Sequence, residues 1–353
     1  MGEIADTSRR GDAAFQEELS SALTDQTLHL ILLPTEQCNF RCTYCYEDFA
    51  IGRMERETVE ALKLLLNRRF ADLQRLDIAW FGGEPLLAQA IVEEISAHVM
   101  TSVADRPEFQ YQGDMTTNGY LLDVPTAEKL AGLGVTIYQI SLDGPESVHD
   151  TTRVRSNGGA SFQRIWQNLL AIRDSRLPVR ILLRIHLTPE NLPSMPEFLR
   201  QVRDTFLGDS RFSVSLKPVE RMGGPNDETL EVLSKQARAE AVGQLEAVVR
   251  AGVPASRTPS GPDVCYAARP NSLVIRANGR IAKCTVALSD PSNDIGRLAS
   301  DGTIHIDDAR LTPWLRGWAN GDWTAVGCPY VGMPRSASPL LQISAGPRRQ
   351  ART

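Results

Sequence analysis

Nothing in this chain of 353 residues approaches a membrane span. The early apolar run Leu28–Leu33 is interrupted by His29 and stopped by Pro34, far short of the roughly 20 residues a spanning helix needs. An excess of positive charge is also missing. The 38 Lys and Arg are outnumbered by 43 Asp and Glu, for a net charge of −5. A general nucleic-acid-binding surface is therefore not indicated. No signal-peptide pattern and no even cysteine set in a short secreted frame is found, so a disulfide scaffold is excluded too. The absence of internal repeats excludes a solenoid or propeller. What remains is an ordinary globular composition, 42% hydrophobic and 23% charged. The length suits one large domain plus an appendage.

Half of the six cysteines stand together. Cys38, Cys42 and Cys45 lie in the run Gln-Cys-Asn-Phe-Arg-Cys-Thr-Tyr-Cys-Tyr from Gln37 to Tyr46. A zinc site takes four ligands, and no His or fourth Cys is near enough in sequence to complete one. Three thiolates at this spacing can instead hold three irons of a cubane [4Fe–4S] cluster, leaving the fourth iron without a protein ligand. An open iron binds and activates a substrate or cofactor, so the pattern points to chemistry as well as electron storage. Thiolate ligation also implies a reducing, low-oxygen, cytoplasmic setting.

Along the chain, hydrophobic periodicity predicts alternating strands and helices. Strands are expected at Leu28–Leu33, Leu76–Phe81, Gln110–Thr117, Thr136–Leu142, Val179–Leu187 and Phe212–Lys217. Helices are expected at Arg56–Leu73, Leu87–Met100, Pro125–Gly132, Phe162–Arg173, Ser194–Asp204 and Glu228–Arg250. Such alternation implies a parallel sheet with helices outside, whose sites form at the carboxyl ends of the strands. Residues 1–27 read as a flexible lead with one short helix near Ala14 to Leu23. Residues 28–250 form the core, and 251–262, rich in Pro, Ser and Gly, form a linker. Short strands at Asn271–Ile275, Arg280–Lys283 and Thr303–Ile306, with the hairpin signal Asn278-Gly279, mark 263–332 as a second module. Residues 333–353 read as a mobile tail.

The cysteine run resembles the defining motif of the radical S-adenosylmethionine (SAM) enzymes, with Tyr44 as the aromatic before the last Cys. The resemblance implies a partial (β/α)6 TIM-like barrel and a core [4Fe–4S] cluster whose open iron chelates SAM. Reductive cleavage of SAM then gives a 5′-deoxyadenosyl radical that abstracts a substrate hydrogen. An electron donor such as a flavodoxin or ferredoxin is implied with it. Phe81-Gly82-Gly83-Glu84-Pro85 is similar to the family's segment for the SAM amino group, where glycine lets backbone carbonyls approach the ammonium. Thr116-Thr117-Asn118-Gly119 is similar to a second SAM-pocket segment. A third is Ser141-Leu142-Asp143-Gly144, followed by His149-Asp150-Thr151-Thr152-Arg153. Ser141 and Arg153 are the candidates for polar contacts to SAM, an Arg fork suiting a carboxylate. Asp143 either contacts SAM or orients a loop, and His149 caps a helix or contacts the site. Leu187 either touches adenine or belongs to the core.

Cys265, Cys284 and Cys328 remain. Cys265 and Cys284 flank the predicted hairpin and resemble the opening of the SPASM and twitch domains, small α+β modules that carry auxiliary clusters. The shorter twitch pattern ends Cys-x2-Cys, but here Val331 holds the last position. Either one auxiliary [4Fe–4S] cluster sits on these three thiolates, or the module has degenerated and holds none. Two auxiliary clusters would need more thiolates than the chain owns.

The resemblance, strongest in Tyr44–Met54 and Asp143–Arg155, implies a maturase that crosslinks, epimerises or oxidises a ribosomally made precursor peptide. A sulfatase-maturase role fits less well, because Thr285 stands where that subfamily has an Asp. The alternatives are a dehydrogenase or mutase of small molecules and a non-enzymatic Fe–S electron carrier. The lead before the first strand is too short for a fused leader-binding domain, so a separate leader-binding protein is a candidate partner. Asp290, Asp294 and Glu220 are candidate bases, none singled out by sequence.

Overall fold

The computed structural model describes residues 14–224, 226–251 and 264–333. Helix α1 (residues 14–23) precedes β1 (Thr27–Leu32) and the short β2 (Phe40–Cys42). Then follow α2 (Arg56–Arg69), β3 (Arg75–Trp80), α3 (Gln89–Ser102), β4 (Gln110–Thr117), α4 (Val124–Ala131) and β5 (Val135–Leu142). Helix α5 (Glu146–Thr152), β6 (Arg153–Arg155), α6 (Phe162–Asp174), β7 (Arg180–Leu187), α7 (Met195–Phe206), β8 (Phe212–Pro218) and α8 (Lys235–Arg250) complete the larger part. The remainder holds β9 (Ser272–Ile275), β10 (Arg280–Ala282), β11 (Gly296–Leu298), β12 (Ile304–Ile306), α9 (Asp308–Asn320) and α10 (Trp323–Gly327).

Six parallel strands in the order β1-β3-β4-β5-β7-β8 form the parallel sheet expected from the alternation, in the partial barrel that the resemblance implied. Along β7, Ile181, Leu183, Ile185 and Leu187 are buried while Leu182, Arg184 and His186 are only partly so. A strand's side chains alternate between faces, so the first set lies under the helices and the second faces the barrel interior. Helix α7 answers with Met195, Phe198, Leu199, Val202 and Phe206, a stripe at helical spacing. Burying each such side chain is worth about 1.5–3 kcal/mol.

The second module does not stand apart. Strand β9 pairs in parallel with β1, His29 opposite Ser272 and Leu32 opposite Ile275, so β9 to β12 extend the barrel sheet to ten strands. Its hairpin turns at Asn278-Gly279 as expected, with Gly279 at φ 77°. Helix α1 of the lead is likewise docked. The Phe15 ring stands 5.4 Å from Trp318 and 4.8 Å from Trp323, and Glu18 pairs with Arg269. Helix α8 begins at Lys235, not Glu228, because the Ser234 hydroxyl accepts from the Ala237 amide and caps the helix there. Residues 252–263, most of the expected linker, and the tail beyond Met333 lie outside the described residues. Among the described residues no helix is long and apolar enough to cross a membrane.

Candidate iron–sulfur and cofactor site

The cysteine run sits at the carboxyl end of β1, and part of it is a strand. Strand β2 pairs antiparallel with β6, setting Cys42 opposite Arg153 and Phe40 opposite Arg155. Hydrogen bonds from the Thr43 amide to the Thr152 carbonyl and from the Ser156 amide to the Asn39 carbonyl extend this clasp. The loop after β8 closes the other side. A Cβ on Gly224, at φ 97°, would lie 2.7 Å from the Cys45 carbonyl oxygen, and the Asn226 amide donates to the Thr43 carbonyl. Only glycine fits so close to another backbone at that φ. Nothing in the sequence reading singled out this loop, although Gly223-Gly224 was a visible signal.

Two buried carboxylates organise the surroundings. Asp143 accepts from the Tyr44 hydroxyl at 2.9 Å and the Thr152 hydroxyl at 2.7 Å. His186 Nδ1 lies 3.1 Å from it, and Arg153 donates to the Tyr44 oxygen at 2.7 Å. Burial alone would raise the Asp143 pKa. The His186 hydrogen bond and the Arg153 charge outweigh it and hold the carboxyl well below the usual range. Glu84 accepts from the Leu86 amide, the Thr117 hydroxyl and the Asn118 amide, at 3.0, 2.8 and 2.8 Å. Burial pushes its carboxyl up despite these bonds. Both acids thus spend their oxygens on protein donors and act here as organisers of loops.

Gly82 and Gly83 face the lead into the cysteine run. A Cβ on either would stand 2.3 Å from a carbonyl oxygen, that of Thr35 or Gln37 respectively. Their requirement for glycine is therefore explained by chain packing alone. Pro85 is buried at the first position of a short 3-10 turn capped by Glu84. Asn118 donates to Asn39 at 2.8 Å, next to Cys38. Ser141 is buried on the strand end beside Asp143. His149 is fully buried within α5 and accepts weakly from the Asp143 amide at 3.4 Å. Leu187 is placed in the core, its carbonyl taken by the Val219 amide. Glu220 pairs with Arg238, Asp290 bonds Tyr330, and Asp294 lies near Arg280.

The three thiols are free, and burial disfavours their ionisation. It raises Cys38, assisted by Glu84, and Cys42, opposed by Arg153, and it pushes Cys45 up to about 12. A cationic iron centre would supply the missing counter-charge. Nearby, Arg153 Nε and Glu47 Oε2 are buried without a hydrogen-bond partner. Among the described residues no three His, Cys, Asp or Glu side chains converge on a single-ion site. A cubane instead takes one thiolate per iron, so its ligands stand apart. The donor set fits a cluster.

Cys265, Cys284 and Cys328 come from three separated segments, yet their thiols lie within electrostatic reach of one another. Asn293 fixes Cys284, accepting its amide and donating to its carbonyl. Cys328 is exposed, and so is Val331. The Tyr46 phenol is within electrostatic reach of both Cys45 and Cys284.

Known proteins resemble this chain in sequence and in fold. Residues 32–202 match the model of the Radical SAM superfamily. Over 246 residues the chain is 28% identical to the PqqA peptide cyclase of Gluconobacter oxydans, covering 69% of this chain and 62% of that one. Over 151 residues it is 30% identical to the GTP 3′,8-cyclase of Nostoc punctiforme, covering 42% and 44%. The chain spans about half the length of the curated relatives it matches. Native anSMEcpe with bound AdoMet and Cp18Cys peptide superposes with a TM-score of 0.59 at 17% identity, over 86% of this chain and 83% of that one. Streptococcus suis SuiB bound to precursor peptide SuiA gives 0.53 at 14%, over 92% and 71%. These structures share the fold.

Proposed function

We propose, from the premise that this chain is a radical SAM enzyme, that it crosslinks, epimerises or oxidises a ribosomally made precursor peptide. The observation carrying the peptide reading is the likeness to a peptide cyclase over 69% of the chain, against 37–53% for the GTP 3′,8-cyclases.

Cys38, Cys42 and Cys45 would hold the cluster, with the Gly82–Pro85 turn, Asn118, Ser141 and Arg153 around SAM. When bound there, cluster and SAM supply a hydrogen-abstracting carbon radical. The chain's own residues position and shield. Asp143, through Tyr44 and Thr152, ties the cysteine run to the ends of β5 and α5. Glu84 ties the glycine turn to Asn118. Gly224 packs against the backbone of Cys45 and Tyr46. On Cys265, Cys284 and Cys328 the second module would hold one auxiliary cluster.

The likeness to GTP 3′,8-cyclase favours a second reading, a small-molecule substrate. The test is anaerobic reconstitution followed by a 5′-deoxyadenosine assay with SAM and dithionite. Candidate short peptides encoded beside the gene, or GTP, are then added. A mass change on a peptide supports the first reading, and GTP-dependent turnover without one supports the second. Failure of the loaded protein to cleave SAM under any of these conditions rejects both.

A further inference from the structure

Basic side chains face one another on the outer surface of the second module. Arg280 of β10 stands directly opposite Arg297 of β11, and Arg297 directly opposite His305 of β12. All three are exposed, while the neighbouring Ile281 and Leu298 are buried on the other face. Like charges placed directly opposite destabilise a sheet. The nearby acids answer this row poorly. Asp307 spends one oxygen on the Ala309 and Arg310 amides at the start of α9 and the other on the Arg310 side chain. Asp301 near His305 is already held by the Thr303 amide and hydroxyl. Asp294 lies 3.7 Å from Arg280, and Arg297 makes no hydrogen bond or ion pair with any described residue. The row and Arg310 border an open depression of about 500 Å³.

The row ends at a free sheet edge. Strand β12 is the last of the ten and pairs with β11 alone. The Asp307 amide donates to the Ile295 carbonyl, and the Ala299 amide to the Thr303 carbonyl. These bonds bracket Arg297 and His305, whose backbone groups therefore bond each other. The N–H and C=O groups of Ile304 and Ile306 then point away from β11, and no described residue takes them. An edge strand is often guarded by a charge of its own. That does not explain Arg280 facing Arg297, because β10 and β11 are interior strands. A ligand accounts for both features. The pairings from β9 to β12 are all antiparallel, and one more antiparallel strand would bond Ile304 and Ile306. Its residue opposite His305 would continue the row, where an acid is complementary. The chain beyond Met333 carries Arg335, Arg348, Arg349 and Arg352 and no acid, so its charge does not suit this edge.

We propose that the β12 edge and the Arg280–Arg297–His305 row dock an extended acidic peptide segment by strand addition. The inference rests on the peptide reading above, under which the occupant is a segment of the precursor. To test it, the cluster-loaded chain is titrated with fluorescein-labelled Ser-Glu-Val-Glu-Val-Glu-Ser. Three twins are compared: Gln for Glu, the reordered Ser-Glu-Glu-Glu-Val-Val-Ser, and the original sequence with N-methyl valines. In an antiparallel addition those valine amides are the ones that face β12.

The alternating acidic peptide should bind at least about tenfold more tightly than any twin. R280Q and R297Q should each weaken it about two- to fivefold, the range of an exposed ion pair. R297E should weaken it further and bind a Lys-for-Glu twin more tightly than wild type does. The melting temperatures of R280Q and R297Q should equal or exceed that of wild type, because facing like charges are relieved. The proposal is overturned if the reordered peptide binds as well as the alternating one, which would mark a patch for a folded acidic protein. It is also overturned if N-methylation costs nothing, if R297E does not invert the preference between Glu and Lys, or if both neutral variants melt well below wild type. The two readings fail separately. If the peptide reading fails, the probe binds but no peptide changes mass in the turnover assay. If docking fails, a peptide can still change mass while the probe does not bind.

Discussion

The two cysteine triads hold the same number of thiols on very different supports. Cys38, Cys42 and Cys45 share one short run of chain, pinned by the β2–β6 pairing and ringed by the Asp143 and Glu84 networks. Cys265, Cys284 and Cys328 arrive from distant segments, and the third is exposed beside an exposed Val331. The first group is a prebuilt site in which each neighbour is itself held. The second depends on the folding of three segments onto one another, with Asn293 as its main clamp. Spacing in sequence thus says how much of a site is local, and the number of thiols does not.

The largest effect should fall on the first group. Cys38→Ala, Cys42→Ala or Cys45→Ala should each abolish 5′-deoxyadenosine formation, whereas Cys284→Ala should leave part of it. Iron content should fall in Cys284→Ala from about eight to about four per chain. Equal loss of SAM cleavage from both groups would erase the contrast.

Next comes the strut between the regions, the buried pair of Glu36, just before the first triad, and Arg276 on the β9–β10 turn. Glu36→Gln should destabilise the fold by about 3–5 kcal/mol, because it leaves Arg276 buried and uncompensated. Denaturant unfolding measures this, and Glu36→Gln combined with Arg276→Met should recover part of the loss.

A smaller effect is expected from acid. Burial is the main force pushing His149 down to about 4, with Asp143 pulling it up and Arg153 down. The unfolded chain's His takes its proton near 6.5, the folded one only near 4. Stability is therefore fully present above 6.5 and is lost as pH falls toward 4, by up to about 3 kcal/mol. Unfolding of cluster-free wild type and His149→Gln across that window should differ in slope, the variant being flatter.

The smallest change sharpens the second site. Val331→Cys would restore the missing fourth thiolate. It should slow loss of the module's iron to a chelator while leaving iron in the first triad unchanged. An unaltered rate would argue that no cluster occupies the module.

Much of this was legible. The cysteine spacing, the strand–helix alternation and the Gly82-Gly83-Glu84-Pro85 turn are local patterns, and local patterns survive in one dimension. Other features had no local signal. Tyr44 was visible as an aromatic before Cys45, but its link to Asp143 spans 99 residues. Leu187, at a strand end, read equally as an adenine contact or a core residue, and the side of the strand it occupies puts its side chain in the core. The second module looked separate because a stretch rich in Pro and Gly precedes it, and nothing in Ser272–Ile275 announces pairing with β1.

By itself the sequence determined the chemistry on offer, three thiols at a spacing that suits a cluster with an open iron, and a parallel α/β scaffold. Both follow from residue type and spacing over a few neighbours. Only the tertiary structure decided which charges are answered. Asp143, Glu84 and Arg276 found partners far along the chain, and Arg184 found none among the described residues. A buried charge is set by what surrounds it in three dimensions, and no spacing rule carries that information.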